Sequence, residues 1–139
     1  MLLVVLMGLQ FFPSGFNKNT SVPSTDFVKT YKISEQVAQM LRTSCYNCHS
    51  NNTKYPWYSR VQPVGWFLEN HINKGKEELN FSEFGSYSDR KQQSKLTSMI
   101  SQVDDDKMPL ASYTFIHHEA RLSPKSKKVL IDYLKTLKK

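Results

Sequence analysis

The chain has 139 residues and carries 19 Lys and Arg against 12 Asp and Glu, a formal charge of +7. That length supports one domain around one core, and the basic balance points to an acidic partner or an anionic membrane surface. Nucleic acid is excluded by the scatter of the cations: the only dense group is Lys125, Lys127, Lys128, Lys135, Lys138 and Lys139, which reads as a solvated helix face.

Residues 1–16 open with the uncharged apolar run Met1–Phe12 and form a signal-anchor-like segment. The run is shorter than the ~20 residues of a full membrane span. It lacks the positively charged start and the small-residue cleavage site of a secretory signal, so an anchor is expected in preference to a cleaved leader or a short buried helix. Residues 17–32 are rich in Ser, Thr, Asn and Pro and read as a linker. Residues 33–139 form the domain proper, with no internal repeat.

Within it, Ser34 is placed to cap a helix running to Ser44, with Val37, Met40, Leu41 and Cys45 on one apolar face. Asn51, Asn52 and Pro56 open a loop. A second helix is predicted over Pro63–Leu79, with Val64, Phe67, Leu68, His71 and Ile72 on its apolar face. A third begins near Ser88 and runs to Val103. The last is capped by Ser123, has Pro124 in its first turn, and buries Val129, Leu130, Tyr133, Leu134 and Leu137. No segment alternates with a period of two, so the expected class is all-α, about four helices.

The first helix delivers Cys45-Tyr46-Asn47-Cys48-His49, a C-x-x-C-H sequence and the attachment signal of haem c. Two thiols three positions apart can each form a thioether to a haem vinyl group, and the adjacent imidazole can bind the iron. Rival readings are weaker. A structural zinc site needs four ligands and only three are offered. A thioredoxin-like pair needs a βαβ setting. A disulfide across three residues closes almost no loop.

The iron then needs a sixth partner, unless that position is left open. Met108 is the first choice: it lies 59 residues beyond His49, and Pro109 holds it in extended backbone on a loop. His71, a histidine on an apolar helix face, is the alternative. His117 and His118 fall in a polar loop and read as exposed, while Met40 and Met99 read as core. Tyr55, Trp57, Tyr58, Trp66 and Phe67 are expected on the haem edge or in the core. Trp57, Tyr58, Arg60 and Trp66 carry donors suited to the propionates.

The C-x-x-C-H sequence, Met108-Pro109 and the closing helix VLIDYLKTL resemble class I cytochromes c. More closely, Cys45–Asn52 with Tyr55-Pro56-Trp57-Tyr58, Trp66–His71, Leu79–Phe84 and Met108–Leu122 resemble a bacterial family called the haem-binding domain. The resemblance covers residues 33–137. It implies a cytochrome c-like fold with one covalent haem at Cys45 and Cys48, His49 as proximal ligand and Met108 as distal ligand. Where class I cytochromes carry Gly and an aromatic residue at the crossing of first and last helices, this chain has Val37 and Leu41.

The expected function is one-electron transfer on the outer side of the inner membrane, in the periplasm. The N-terminus would anchor the protein to that membrane, and an acidic redox protein would be its partner. The alternative is a haem-based sensor or small-ligand-binding module with an open or weakly held distal site. An enzyme is not expected: the chain has no Gly-rich phosphate loop, no Ser-His-Asp pattern and no HExxH.

Overall fold

The computed structural model describes all 139 residues, and every regular element is helical. In chain order these are α1 (Leu2–Leu9), α2 (Phe27–Thr30), α3 (Glu35–Ser44), α4 (Tyr46–His49), α5 (Val64–Glu78), α6 (Asp89–Asp104), α7 (Ala111–Ile116) and α8 (Pro124–Thr136). Short 3₁₀ turns cover Trp57–Arg60, Phe81–Ser86 and His118–Ala120. The four longest helices, α3, α5, α6 and α8, are the four expected from apolar periodicity.

Their ends follow local chemistry. Ser123 Oγ accepts from Ser126 N–H at 3.1 Å with Pro124 at the first position, and Ser88 Oγ accepts from Lys91 N–H at 3.4 Å. Ser34 occupies the N-cap of α3, but its side chain makes no cap bond. At α5 the cap position is Pro63, which has no side-chain acceptor. The buried Gln62 supplies one instead, its Oε1 accepting from Trp66 N–H at 3.1 Å.

The core lies between α3, α6 and α8. Val37 and Leu41 join Leu96, Met99 and Val103 of α6 and Leu130, Ile131 and Leu134 of α8, with Phe81 and Phe84 closing one end. α3 packs on α8, so Val37 and Leu41 fill the place between first and last helices with aliphatic bulk.

Two expectations about packing do not hold. Residues 17–32 do not stand off the domain as a linker. Phe27 is 0 % exposed and meets the rings of Phe81 and Phe84 edge-on at 5.4 and 4.7 Å. The buried Asp26 carboxylate caps α2 through Val28 N–H at 3.0 Å and accepts from the Tyr46 hydroxyl at 3.1 Å. Asn17 donates to the Ser50 carbonyl at 2.7 Å. The polar residues that mark a linker in sequence are here the hydrogen-bonding partners that fasten the segment down.

The second concerns α5. Its buried residues are Gly65 and Ile72, while Val64 and Phe67 stay exposed. α5 lies against α4 and the Trp57–Arg60 turn through its small residues: a Cβ on Gly65 would fall 2.5 Å from the Ser59 carbonyl oxygen. Close backbone approach, which needs glycine, outweighs the burial of the larger apolar side chains. α1 contributes nothing to the core; none of its residues is buried, and no helix is long and apolar enough to cross a membrane.

Removing the Phe27 ring should show that residues 17–32 belong to the folding unit. Phe27→Ala is expected to cost about 3–5 kcal/mol in urea unfolding, the range for a truncated buried aromatic. A segment that merely tethers the domain would lose almost nothing.

Candidate haem-binding site

Cys45 ends α3, its N–H donating to the Leu41 carbonyl at 2.9 Å, and its own carbonyl accepts from both Cys48 N–H (3.2 Å) and His49 N–H (3.0 Å). C-x-x-C-H is therefore a single helical turn hinged off the end of α3. Tyr46 stacks on Phe81 with ring centroids 4.9 Å apart and 7° between planes. The Asn47 side-chain amide donates to the Tyr113 hydroxyl at 2.7 Å, and the Asn47 backbone carbonyl accepts from the Thr53 hydroxyl at 2.7 Å. These contacts hold the turn in place by the two residues the motif leaves free.

His49 is oriented by α5. Its Nδ1 lies 2.8 Å from the Gly75 carbonyl and 3.0 Å from the Leu79 carbonyl. Carbonyls only accept, so Nδ1 carries the proton and Nε2 is left with its lone pair, the form an iron ligand requires. Burial lowers the His49 pKa, against the two hydrogen bonds, and favours this neutral state. Gly75 makes the approach possible: a Cβ there would lie 2.8 Å from the Cys48 carbonyl oxygen.

Both cysteines are thiols. Burial, with Cys48 alongside, pushes Cys45 up to about 12, and burial raises Cys48 as well. A redox or metal-binding pair needs the opposite, a stabilised thiolate. Nowhere do three or more His, Cys, Asp or Glu gather as a metal site would demand. A porphyrin brings four nitrogens of its own and asks the protein only for axial ligands, so a single prepared imidazole is consistent with haem.

The space beside this turn is a cavity of about 330 Å³ bordered by Cys45, His49 and Met108, with apolar walls from Leu41, Leu79, Phe81, Met99, Val103, Leu130 and Leu134. A second chamber of about 190 Å³ shares Cys45, His49, Met108 and Pro109 with it and adds Cys48, His71 and Tyr113. Volumes of this size with such walls suit a flat apolar cofactor. A larger hollow of about 520 Å³ is lined mostly by polar residues and contains none of Cys45, Cys48, His49 or Met108.

Met108 sits on the turn after α6, its N–H donating to the Gln102 carbonyl at 3.0 Å, and it borders both chambers. His71 borders only the smaller one. Its Nδ1 faces the Phe67 carbonyl at 3.0 Å and its ring lies 4.3 Å from that of Phe67. Met40 packs against the core and Met99 lies in it, where Met99 also forms a cavity wall.

The aromatic group is elsewhere. Tyr55, Trp57, Tyr58, Trp66 and Phe67 border neither chamber, and Arg60 is equally remote from both. Trp57 is 81 % exposed, Trp66 Nε1–H donates to the Phe12 carbonyl at 2.9 Å, and Tyr55 accepts from Asn17 N–H at 2.7 Å. Tyr55 and Trp66 thus hold the N-terminal segment, a partner the sequence did not reveal. Polar groups at the cavity come instead from Lys95, Glu78 and Gln102, with Lys95 Nζ 3.6 Å from Glu78 Oε2. His117 is half-buried: it accepts from the Tyr58 hydroxyl at 2.7 Å and stacks on Tyr113 at 4.5 Å.

The residues that sequence reasoning missed are Gly75, Leu79 and Phe81. A glycine inside a helix costs about 1 kcal/mol relative to alanine, and that cost was the available signal of a close packing contact at Gly75. Gly75→Ala should lower stability by about 1–3 kcal/mol, as overpacking does, and should reduce the yield of haem-loaded protein. Thermal unfolding and the haem-to-protein absorbance ratio check this; an unchanged ratio would show that α5 does not set the His49 position.

Neither the curated proteins nor the solved structures contain a match to the chain. The haem-binding domain family matches residues 4–136. That span takes in the motif turn, both chambers and every helix of the core. With an imidazole set for an iron and an apolar slot beside it, the chain belongs to the haem-binding domain family.

Proposed function

We propose that this chain is a monohaem c-type cytochrome that carries single electrons. The observation that carries the reading is the His49 ring, fixed by two carbonyls in the ligating tautomer on the wall of a cavity it shares with Cys45 and Met108. Cys45 and Cys48 would hold the haem covalently, each thiol adding across a vinyl group with its hydrogen passing to the vinyl's other carbon, so no oxidant would be consumed. His49 Nε2 would be the first protein donor to its iron and the Met108 thioether the second. Met108 takes this role over His71 because it borders both chambers.

When bound, the haem supplies an iron that changes oxidation state by one electron. The protein's part is to keep both axial donors in place in either state and to exclude water with Leu41, Phe81, Leu130 and Leu134. A His/Met pair raises the potential relative to other axial sets. The formal charge of +7 favours an acidic redox partner, by steering that weakens as salt is added. The apolar α1 supports a membrane attachment, and covalent haem attachment, which takes place on the outer side of the inner membrane, supports a periplasmic location. With protein donors on both sides the iron would offer no open position to a substrate, which supports a carrier over an enzyme.

The test is the optical spectrum of the oxidised protein, expressed with the haem-attachment machinery. The weak far-red charge-transfer band of a ferric iron–methionine bond is expected in the wild type. Met108→Ala should abolish it and lower the midpoint potential. A low-spin spectrum without that band would transfer the distal role to His71. A high-spin spectrum with tight CO binding after reduction would instead establish the sensor reading.

A further inference from the structure

The apolar N-terminal helix joins the domain without a flexible connector. The Gln10 side chain makes two reciprocal bonds to the Gln62 backbone: its amide donates to the Gln62 carbonyl at 3.2 Å, and its oxygen accepts from Gln62 N–H at 3.0 Å. Two residues on, the Phe12 carbonyl accepts from Trp66 Nε1–H at 2.9 Å. Ser14 then lies so close to α5 that a Cβ on Gly65 would meet its Oγ at 2.8 Å. Fastening thus begins one residue after α1 ends and continues through the start of α5.

Beside this latch the domain presents apolar surface. Val61, Val64 and Phe67 are 44 %, 42 % and 62 % exposed, and Val64 and Phe67, three apart on α5, share a helix face. Phe11 and Phe12, which follow the latched Gln10, are exposed as well, and so is Arg60, whose cation suits an anionic headgroup. α1 itself, LLVVLMGL, is apolar on every side and has no buried residue. A helix that packs on a second copy carries one apolar stripe; a helix apolar all round is matched by a medium that surrounds it, which is lipid.

Taking the membrane attachment of α1 from the function proposed above, we propose a further property. The face of Val61, Val64 and Phe67, with Phe11 and Phe12, rests on the headgroup interface of an anionic bilayer, and the Gln10–Gln62 latch holds the domain at one fixed tilt. A helix in lipid that ends one residue before its first fastening to the domain must bring that part of the domain down to the interface. The Phe67 ring lies 4.3 Å from that of His71, which borders the smaller chamber. A fixed tilt therefore also fixes where the haem slot stands above the membrane.

The test is polarised attenuated-total-reflection absorbance of the Soret band. It uses the haem-loaded full chain on supported bilayers of phosphatidylethanolamine with phosphatidylglycerol. The wild type is expected to bind with a dichroic ratio well away from the isotropic value. Gln10→Ala combined with Trp66→Phe should keep its solution spectrum and bound amount while its ratio collapses to isotropic. Val64→Asp, with the latch intact, should bind at a different ratio. An isotropic wild type that nevertheless binds, or an unchanged ratio in the double variant, overturns the fixed tilt and leaves the membrane attachment standing. No binding at all overturns the attachment, and the tilt with it. A stable solution dimer that ignores the bilayer would assign the face to a second copy.

Discussion

The site depends on one close contact, that of α4 with α5 at Gly75. Without a side chain at that position, the backbones come near enough for the Gly75 and Leu79 carbonyls to reach His49 Nδ1. That pair of bonds sets the ring's tautomer and holds its orientation. An imidazole adjacent to the second cysteine of a C-x-x-C-H turn would otherwise be free to rotate, and its proton could sit on either nitrogen. The rest of the motif turn is held from the other side by Tyr46 on Phe81 and by Asn47 with Tyr113 and Thr53.

The cavity and the core are built from the same side chains. Leu41, Phe81, Met99, Val103, Leu130 and Leu134 pack against one another in the core and also wall the larger chamber. A ligand seated there covers apolar surface that belongs to the core itself, so its binding free energy adds directly to the stability of the fold. The same enclosure keeps the chemistry neutral. Cys45, Cys48 and His49 are all shifted toward their uncharged forms by burial. A neutral imidazole is the form that can donate a lone pair to an iron.

The N-terminal third supports this arrangement. Phe27 completes the aromatic cluster behind Tyr46 and Phe81, and Asp26 takes the Tyr46 hydroxyl. Residues before the domain's first long helix are thus connected to the C-x-x-C-H turn through one stacked pair and one hydrogen bond. The chain between them and α1 is fastened in turn to Gln62, Trp66 and Tyr55. Tyr55 and Trp66 hold the N-terminal segment and border neither chamber.

The sequence by itself determined the four long helices and the spacing of the candidate haem donors. Both depend on local spacing: C-x-x-C-H places its donors within one turn, and Ser123-Pro124 or the apolar repeat of α6 marks a helix through neighbours three and four residues away. The tertiary structure alone decided which carbonyls hold His49, that Met108 borders both chambers while His71 borders one, and that Phe27 lies in the core. It also decided that Val64 and Phe67 face outward, because α5 turns its glycines toward α4 and the preceding turn. Hydrophobicity along a helix records how favourable burial of a face would be. Which face is buried depends on how closely two backbones can approach, and that is set by residues distant in the chain.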